Sequence, residues 1–156
     1  MKKRINNTAI SLIFFFISFT TWACAQTRML SSMPDGQWVT KVYISKALIN
    51  LGSSISAQAA GRYGHLMKDI DSIEVYTCES IDMVKKAEIA FQDILKNYNV
   101  EEILSSKQPY ESDFIYLCSP KKIAKPDALI IYNQTPADVN IVVLHGTIDV
   151  SEILGK

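Results

Sequence analysis

Between Ile81 and Tyr98 the apolar residues Ile81, Val84, Ala87, Phe91, Ile94, Leu95 and Tyr98 recur at steps of three and four. That spacing draws one stripe along an α-helix, with Lys85, Lys86, Glu88, Asp93 and Lys96 mostly off it. Ser80 and Asp82 suit the first turn, and Asn97 or Asn99 suits the end. A stripe of this kind is a packing surface for a core. The pattern then changes to VEEILSSK (100–107), SDFIYLCS (112–119), DALIIYNQ (127–134) and DVNIVVLHG (138–146), four strand candidates. QPYE, PKKIAKP and TPA separate them, with prolines where a ladder must stop. Connections this short favour antiparallel neighbours.

Upstream of the helix, Trp38 to Ser45 is β-branched and aromatic and reads as a strand, with Val42 and Ile44 sharing a face with Trp38 and Thr40. Ser45 suits the N-cap of a short helix over KALINL, and Gly52 suits its end. A second strand runs from Ser72 to Cys78, with Ile73, Val75 and Thr77 on one face. A helix is expected around Ala57–Lys68, weakened by Gly61 and Gly64, and a last short one in TIDVSEILGK, capped by Asp149 or Ser151. The expected fold is therefore α+β in two layers. Helices pack on one face of a mixed, mostly antiparallel sheet of about five or six strands.

The first residues read differently. Lys2, Lys3 and Arg4 precede AISLIFFFISFTTWA, an apolar run shorter than the ~20 residues a spanning helix needs. A basic start, a short apolar stretch and the small-x-small close Ala23-Cys24-Ala25 are the parts of a secretory signal peptide. The preferred reading is cleavage after Ala25, with residues 1–25 removed, 26–37 a flexible lead-in and 38–156 a single α+β domain. An outer-membrane lipoprotein anchored through Cys24 is the alternative; Trp22 is bulky for it, and Thr21 stands where leucine is usual. A leader that is never cleaved is a third.

Removing residues 1–25 from the 156 leaves 131, the size of one domain. The whole chain carries 16 basic and 16 acidic residues, and the leader takes three basic ones, so the remainder is −3. A mildly acidic chain of mixed signs has no electrostatic footprint for nucleic acid. Cys78 and Cys118 would remain, an even number in a compartment where disulfides persist. Both lie in strand patterns beside apolar residues, so unpaired thiols are expected, with pairing as the alternative.

VTKVYISKALINL, then DIDSIEVYTCES leading into the long helix, then VVLHGTIDVSEI together resemble one family. It is domain of unknown function family 4252, and the resemblance spans roughly Trp38 to Leu154. Ser53–Ala60 departs from it most. The resemblance implies an exported protein of the periplasm or cell envelope of a Gram-negative bacterium, sometimes lipid-anchored. It brings no catalytic residue.

A search for chemistry finds little. His65 sits beside Lys68 and Asp69, and His145 closes the last strand before Gly146; neither belongs to an H-x-x-x-H or H-E-x-x-H pattern. There is no C-x-x-C, no G-x-S-x-G and no phosphate-cradling glycine loop, so no cofactor or metal is called for. Glu101 and Glu102 are adjacent, and neighbours in a strand point to opposite faces. Tyr43, Tyr76, Tyr98, Tyr110, Tyr116 and Tyr132 read as strand tyrosines that bridge core and solvent. The expected function is a non-catalytic module that binds an envelope protein or a small ligand, with contacts on the loop from Ser53 to Gly64. The alternative is a small periplasmic enzyme using His65 or His145 as general base. A pocket holding a histidine beside a carboxylate would favour that alternative.

Overall fold

The computed structural model describes residues 28–55, 69–122 and 125–148. The leader expected at 1–25, His65, the helix expected at 57–68 and most of the expected closing helix lie outside the described residues. A 3-10 turn, Met29–Ser32, comes first. It is followed by β1 (Val39–Ser45), α1 (Lys46–Ile55), β2 (Ile70–Cys78), α2 (Ile81–Leu95), β3 (Tyr98–Gln108), β4 (Glu111–Pro120), β5 (Ala128–Gln134) and β6 (Val139–Gly146).

The six strands form one sheet in the order β1-β2-β6-β5-β4-β3. Each neighbouring pair is antiparallel, so the sheet expected to be mixed and mostly antiparallel has no parallel pair among the described strands. From β3 to β6 the chain meanders back across the sheet, and β6 closes it by pairing with β2. The α2 helix makes the one long jump, from β2 to the far edge at β3. Four strand spacings are ~19 Å. The 15 residues of α2 extend ~22 Å, enough to bridge that distance over one face.

Val84, Ala87, Phe91, Ile94 and Leu95 of α2 are buried, as the stripe requires. They pack on a sheet face made of Tyr76, Cys78, Tyr116, Cys118, Ile130, Tyr132, Val139, Ile141 and Val143. Phe91 stacks on Tyr132 with centroids 4.8 Å apart. Two ends of the stripe depart from expectation. Ile81, the first residue of the helix, is 73% exposed. Tyr98 is the first residue of β3, because the helix stops at Leu95 and the Asn97 amide turns back to the Ile94 carbonyl.

Two further expectations change, and the buried face of β2 is decided. Gly52 does not end α1, which runs through it to Ile55. A methyl group at Gly52 would meet nothing within 4 Å, so the position is an open helix surface that tolerates glycine at its usual entropic cost. In β2 the buried row is Ile70, Ser72, Glu74, Tyr76 and Cys78, while Ile73, Val75 and Thr77 lie on the half-exposed face. Finally, the lead-in is not loose between Met29 and Met33. Met29, Leu30 and Met33 are buried in the core. The Lys41 ammonium donates to the Met33 carbonyl at 2.6 Å, and the Tyr76 hydroxyl donates to the Pro34 carbonyl at 3.2 Å.

Cys78 and Cys118 are free and buried. They sit on β2 and β4, three strand spacings or ~14 Å apart, beyond the ~7 Å a disulfide allows between Cα atoms. Burial, with some help from Asp127, pushes the Cys118 thiol up to about 12, so it stays protonated and inert.

Candidate functional site

The buried row of β2 passes from Cys78 and Tyr76 under the helix to Glu74 and Ser72 beyond it. Register partners in adjacent strands share a face. Tyr43 and Val143 lie opposite Glu74, and Ser45 and His145 lie opposite Ser72. The sheet therefore gathers Tyr43, Glu74, Ser72 and His145 at one end of its core face.

Glu74 is almost fully enclosed, with 5% of its side chain exposed. Its Oε1 accepts the Met29 amide at 2.7 Å, and its Oε2 accepts the Leu30 amide at 2.9 Å. These N–H groups begin the 3-10 turn, where a helical segment leaves donors without internal partners. His145 Nε2 lies 2.7 Å from Oε1. Burial alone would raise the Glu74 carboxyl. The hydrogen bonds from His145, Leu30 and Met29, with the charge of His145, outweigh it and hold the group below its ordinary value. Glu74 is therefore an ionised carboxylate, which only accepts hydrogen bonds. That assigns a proton to Nε2 of His145, which donates to Oε1. Among the described residues nothing is hydrogen-bonded to Nδ1.

These groups line a cavity of about 440 Å³. Tyr98, Asp127, Arg28 and Lys125 line it as well. Asp127 is solvent-exposed as a residue, yet such burial as its carboxyl has pushes it up, against the pull of the His145 charge and a backbone hydrogen bond. Burial, followed by the nearby Asp127, Glu74 and Cys118, raises Tyr98, so its hydroxyl keeps its proton. The Arg28 guanidinium lies 4.2 Å from the Tyr43 ring centroid, a cation–π contact. Asp71 on the lining is already paired to Lys46 at 2.5 Å.

Gly146 fixes this end of the sheet. Its φ is +147°, and a Cβ there would lie 2.0 Å from the Asp69 carbonyl oxygen. Only glycine fits both the angle and the contact. Its amide donates to the Asp127 carbonyl at 2.8 Å, and the Thr147 amide donates to the Asp69 carbonyl at 3.1 Å. His145 is thus carried on a strand end tied to two neighbouring segments.

Of the residues singled out in the sequence, the structure brings His145, Tyr43 and Tyr98 to the cavity. Tyr76, Tyr116 and Tyr132 are core residues, and Tyr110 is 78% exposed in the β3–β4 turn. Glu101 and Glu102 lie exposed on the edge strand opposite Leu117 and Tyr116, on different faces. Sequence reading missed Glu74 and Asp127. The available signal for Glu74 was a single carboxylate in the row Ser72, Glu74, Tyr76, Cys78 of a strand apolar on its other face. Among the described residues, no three His, Cys, Asp or Glu side chains are grouped to hold a metal ion, and no helix is long and apolar enough to cross a membrane.

The family model for Domain of unknown function (DUF4252) matches residues 35–154. The chain belongs to this family. The DUF4252 segment contains Tyr43, Glu74, Tyr98, Lys125, Asp127 and His145, whereas Arg28 and the turn that grips Glu74 precede it. No curated protein and no solved structure matches the chain.

Proposed function

We propose that this DUF4252 protein is an exported binding module that takes a small ligand into the cavity beside Glu74 and His145. One observation carries the reading: an ionised, enclosed carboxylate stands behind a 21% exposed imidazole in a cavity of about 440 Å³. Small-molecule sites typically measure ~300–1,000 Å³ and place a few fixed polar groups among apolar walls. The fixed groups here sit on β2 and β6, which the sheet holds rigid. Export rests on Lys2–Arg4, the apolar run and Ala23-x-Ala25. Intact mass of the native protein tests it, with Gln26 as the expected first residue and an acylated Cys24 as the result that replaces secretion by a lipid anchor.

The ligand reading is tested by titrating a fragment set of mixed charge into ¹⁵N-labelled protein. Saturable shifts confined to the amides around Glu74, Tyr98, Asp127 and Gly146 are expected. Shifts that fall only on other surfaces would sink the reading.

A second reading, a small enzyme with His145 as general base, is favoured by the same pair. A carboxylate that orients a histidine and leaves its other nitrogen basic is the usual support for proton transfer. The two readings part on the fate of the ligand. Recovery of the bound compound unchanged after long incubation supports binding. Conversion that vanishes in His145→Gln supports the enzyme.

A further inference from the structure

The charges around the cavity are not equally occupied. Three acids line it. Glu74 is saturated by two amides and His145, and Asp71 is held by Lys46. Asp127 is left, and burial shifts its carboxyl towards the neutral form. Two full cations line the same cavity, and among the described residues neither Arg28 nor Lys125 is ion-paired. Arg28 rests its guanidinium against the Tyr43 ring, and such a stacked group keeps its edge N–H donors available. The Tyr98 hydroxyl adds a neutral donor. Unspent donors therefore outnumber unspent acceptors, although the whole chain is balanced at 16 basic and 16 acidic residues.

We infer that the ligand carries a compact anionic group, a carboxylate or a phosphate, held by Arg28 and Lys125 while the rest of the molecule lies against Tyr43, Tyr98 and His145. This inference rests on the cavity being the ligand site. An anion there pairs two cations that are otherwise open, and charge-assisted bonds from a guanidinium are strong and directional for both groups. A cationic ligand would have only Asp127 to meet it.

Four probes of similar size separate the possibilities: inorganic phosphate, succinate, neutral succinamide and 1,4-diaminobutane, each at fixed ionic strength in chloride. The readouts are amide shifts around Tyr98, Asp127 and Gly146, and the ¹⁵N shifts of the His145 ring. Saturable binding of phosphate or succinate is expected, the preferred probe telling which anion the site is built for. The imidazole signals should move as the anion binds. Arg28→Gln combined with Lys125→Gln should weaken that binding at least tenfold while the amide spectrum stays folded, since both side chains are exposed. Binding of succinamide or diaminobutane with the anions inert would overturn the anion inference and leave the cavity reading standing. Anion binding unchanged in the double variant would overturn it too, placing the anion elsewhere. No shift at the cavity with any probe would remove both.

Discussion

The two ends of the same sheet face are built on opposite terms. Under α2 the face is dry: Phe91 lies between Tyr132 and Tyr116, with centroids 4.8 and 6.4 Å away. Beyond the helix the same strands carry Ser72, Glu74 and His145, and the covering element shrinks to a four-residue 3-10 turn. One end is stabilised by removing apolar area from water. The other is stabilised by satisfying one buried charge with three hydrogen bonds. Such a charge-centred site costs desolvation and is weak evidence for stability, so its presence at a cavity mouth points to use. Both ends share β2, which turns from core strand to site strand between Tyr76 and Glu74.

The largest difference between the ends appears on truncation. Phe91→Ala should cost about 3–5 kcal/mol, the range for deleting a fully buried aromatic ring. Urea denaturation reads the loss directly, and a cost below about 1 kcal/mol would mean that the aromatic end is not the structural half.

Next in size is Glu74→Gln. The amide keeps the shape but puts an N–H₂ where one backbone donor needs an acceptor. An unsatisfied buried donor costs about 1–3 kcal/mol. The expected loss is therefore real but smaller than at Phe91. Faster hydrogen exchange at Met29 and Leu30 than in the wild type would show that the turn is held by this carboxylate. Unchanged exchange there would break the account of the polar end.

How far this division could be read from the chain depends on which contacts are local. The α2 stripe and the four strands after it were legible, because periodicity and proline breaks are local signals. The overreach to Tyr98 came from continuing a 3.6-residue period through a turn, as the side chain stays near the core on either backbone. The pairing of β6 with β2 brings together residues about 70 apart, and no local pattern encodes that choice. The site depends on that pairing, which is why His145 was noticed alone and Glu74 was not. Met29, Leu30 and Met33 were hidden by their polar neighbours in QTRMLSSMPDGQ, where one turn is too short to show a period.

Acid sharpens the comparison further. The Glu74 carboxyl sits below the ordinary glutamate value of 4.5 in the folded protein. A depressed folded value means that its stabilisation is complete above the ordinary value and is lost as pH falls through the folded one. Wild type should therefore exceed Glu74→Gln in stability near neutrality, and the gap should close on acidification below 4.5. Phe91→Ala should keep a constant gap over the same range. Parallel pH curves for wild type and Glu74→Gln would mean that the carboxylate is not held ionised by the fold.

The smallest stability effect is expected at His145, and there the comparison is decided. Removing the ring takes one of three hydrogen bonds from Glu74 but leaves both amides in place. Its side chain is 21% exposed, so water can enter and solvate the freed oxygen. His145→Ala should then cost about 0.5–1.5 kcal/mol, the net worth of an ordinary hydrogen bond. Exchange at the Met29 and Leu30 amides should remain slow. Ligand binding should fall far more than stability does, because the ring presents its free nitrogen on the cavity wall and Glu74 exists behind it. A thermal melt and a binding titration on the same sample separate the two quantities. If His145→Ala unfolds the protein as readily as Phe91→Ala, the ring is a second piece of core, and the polar end has no claim to be a site.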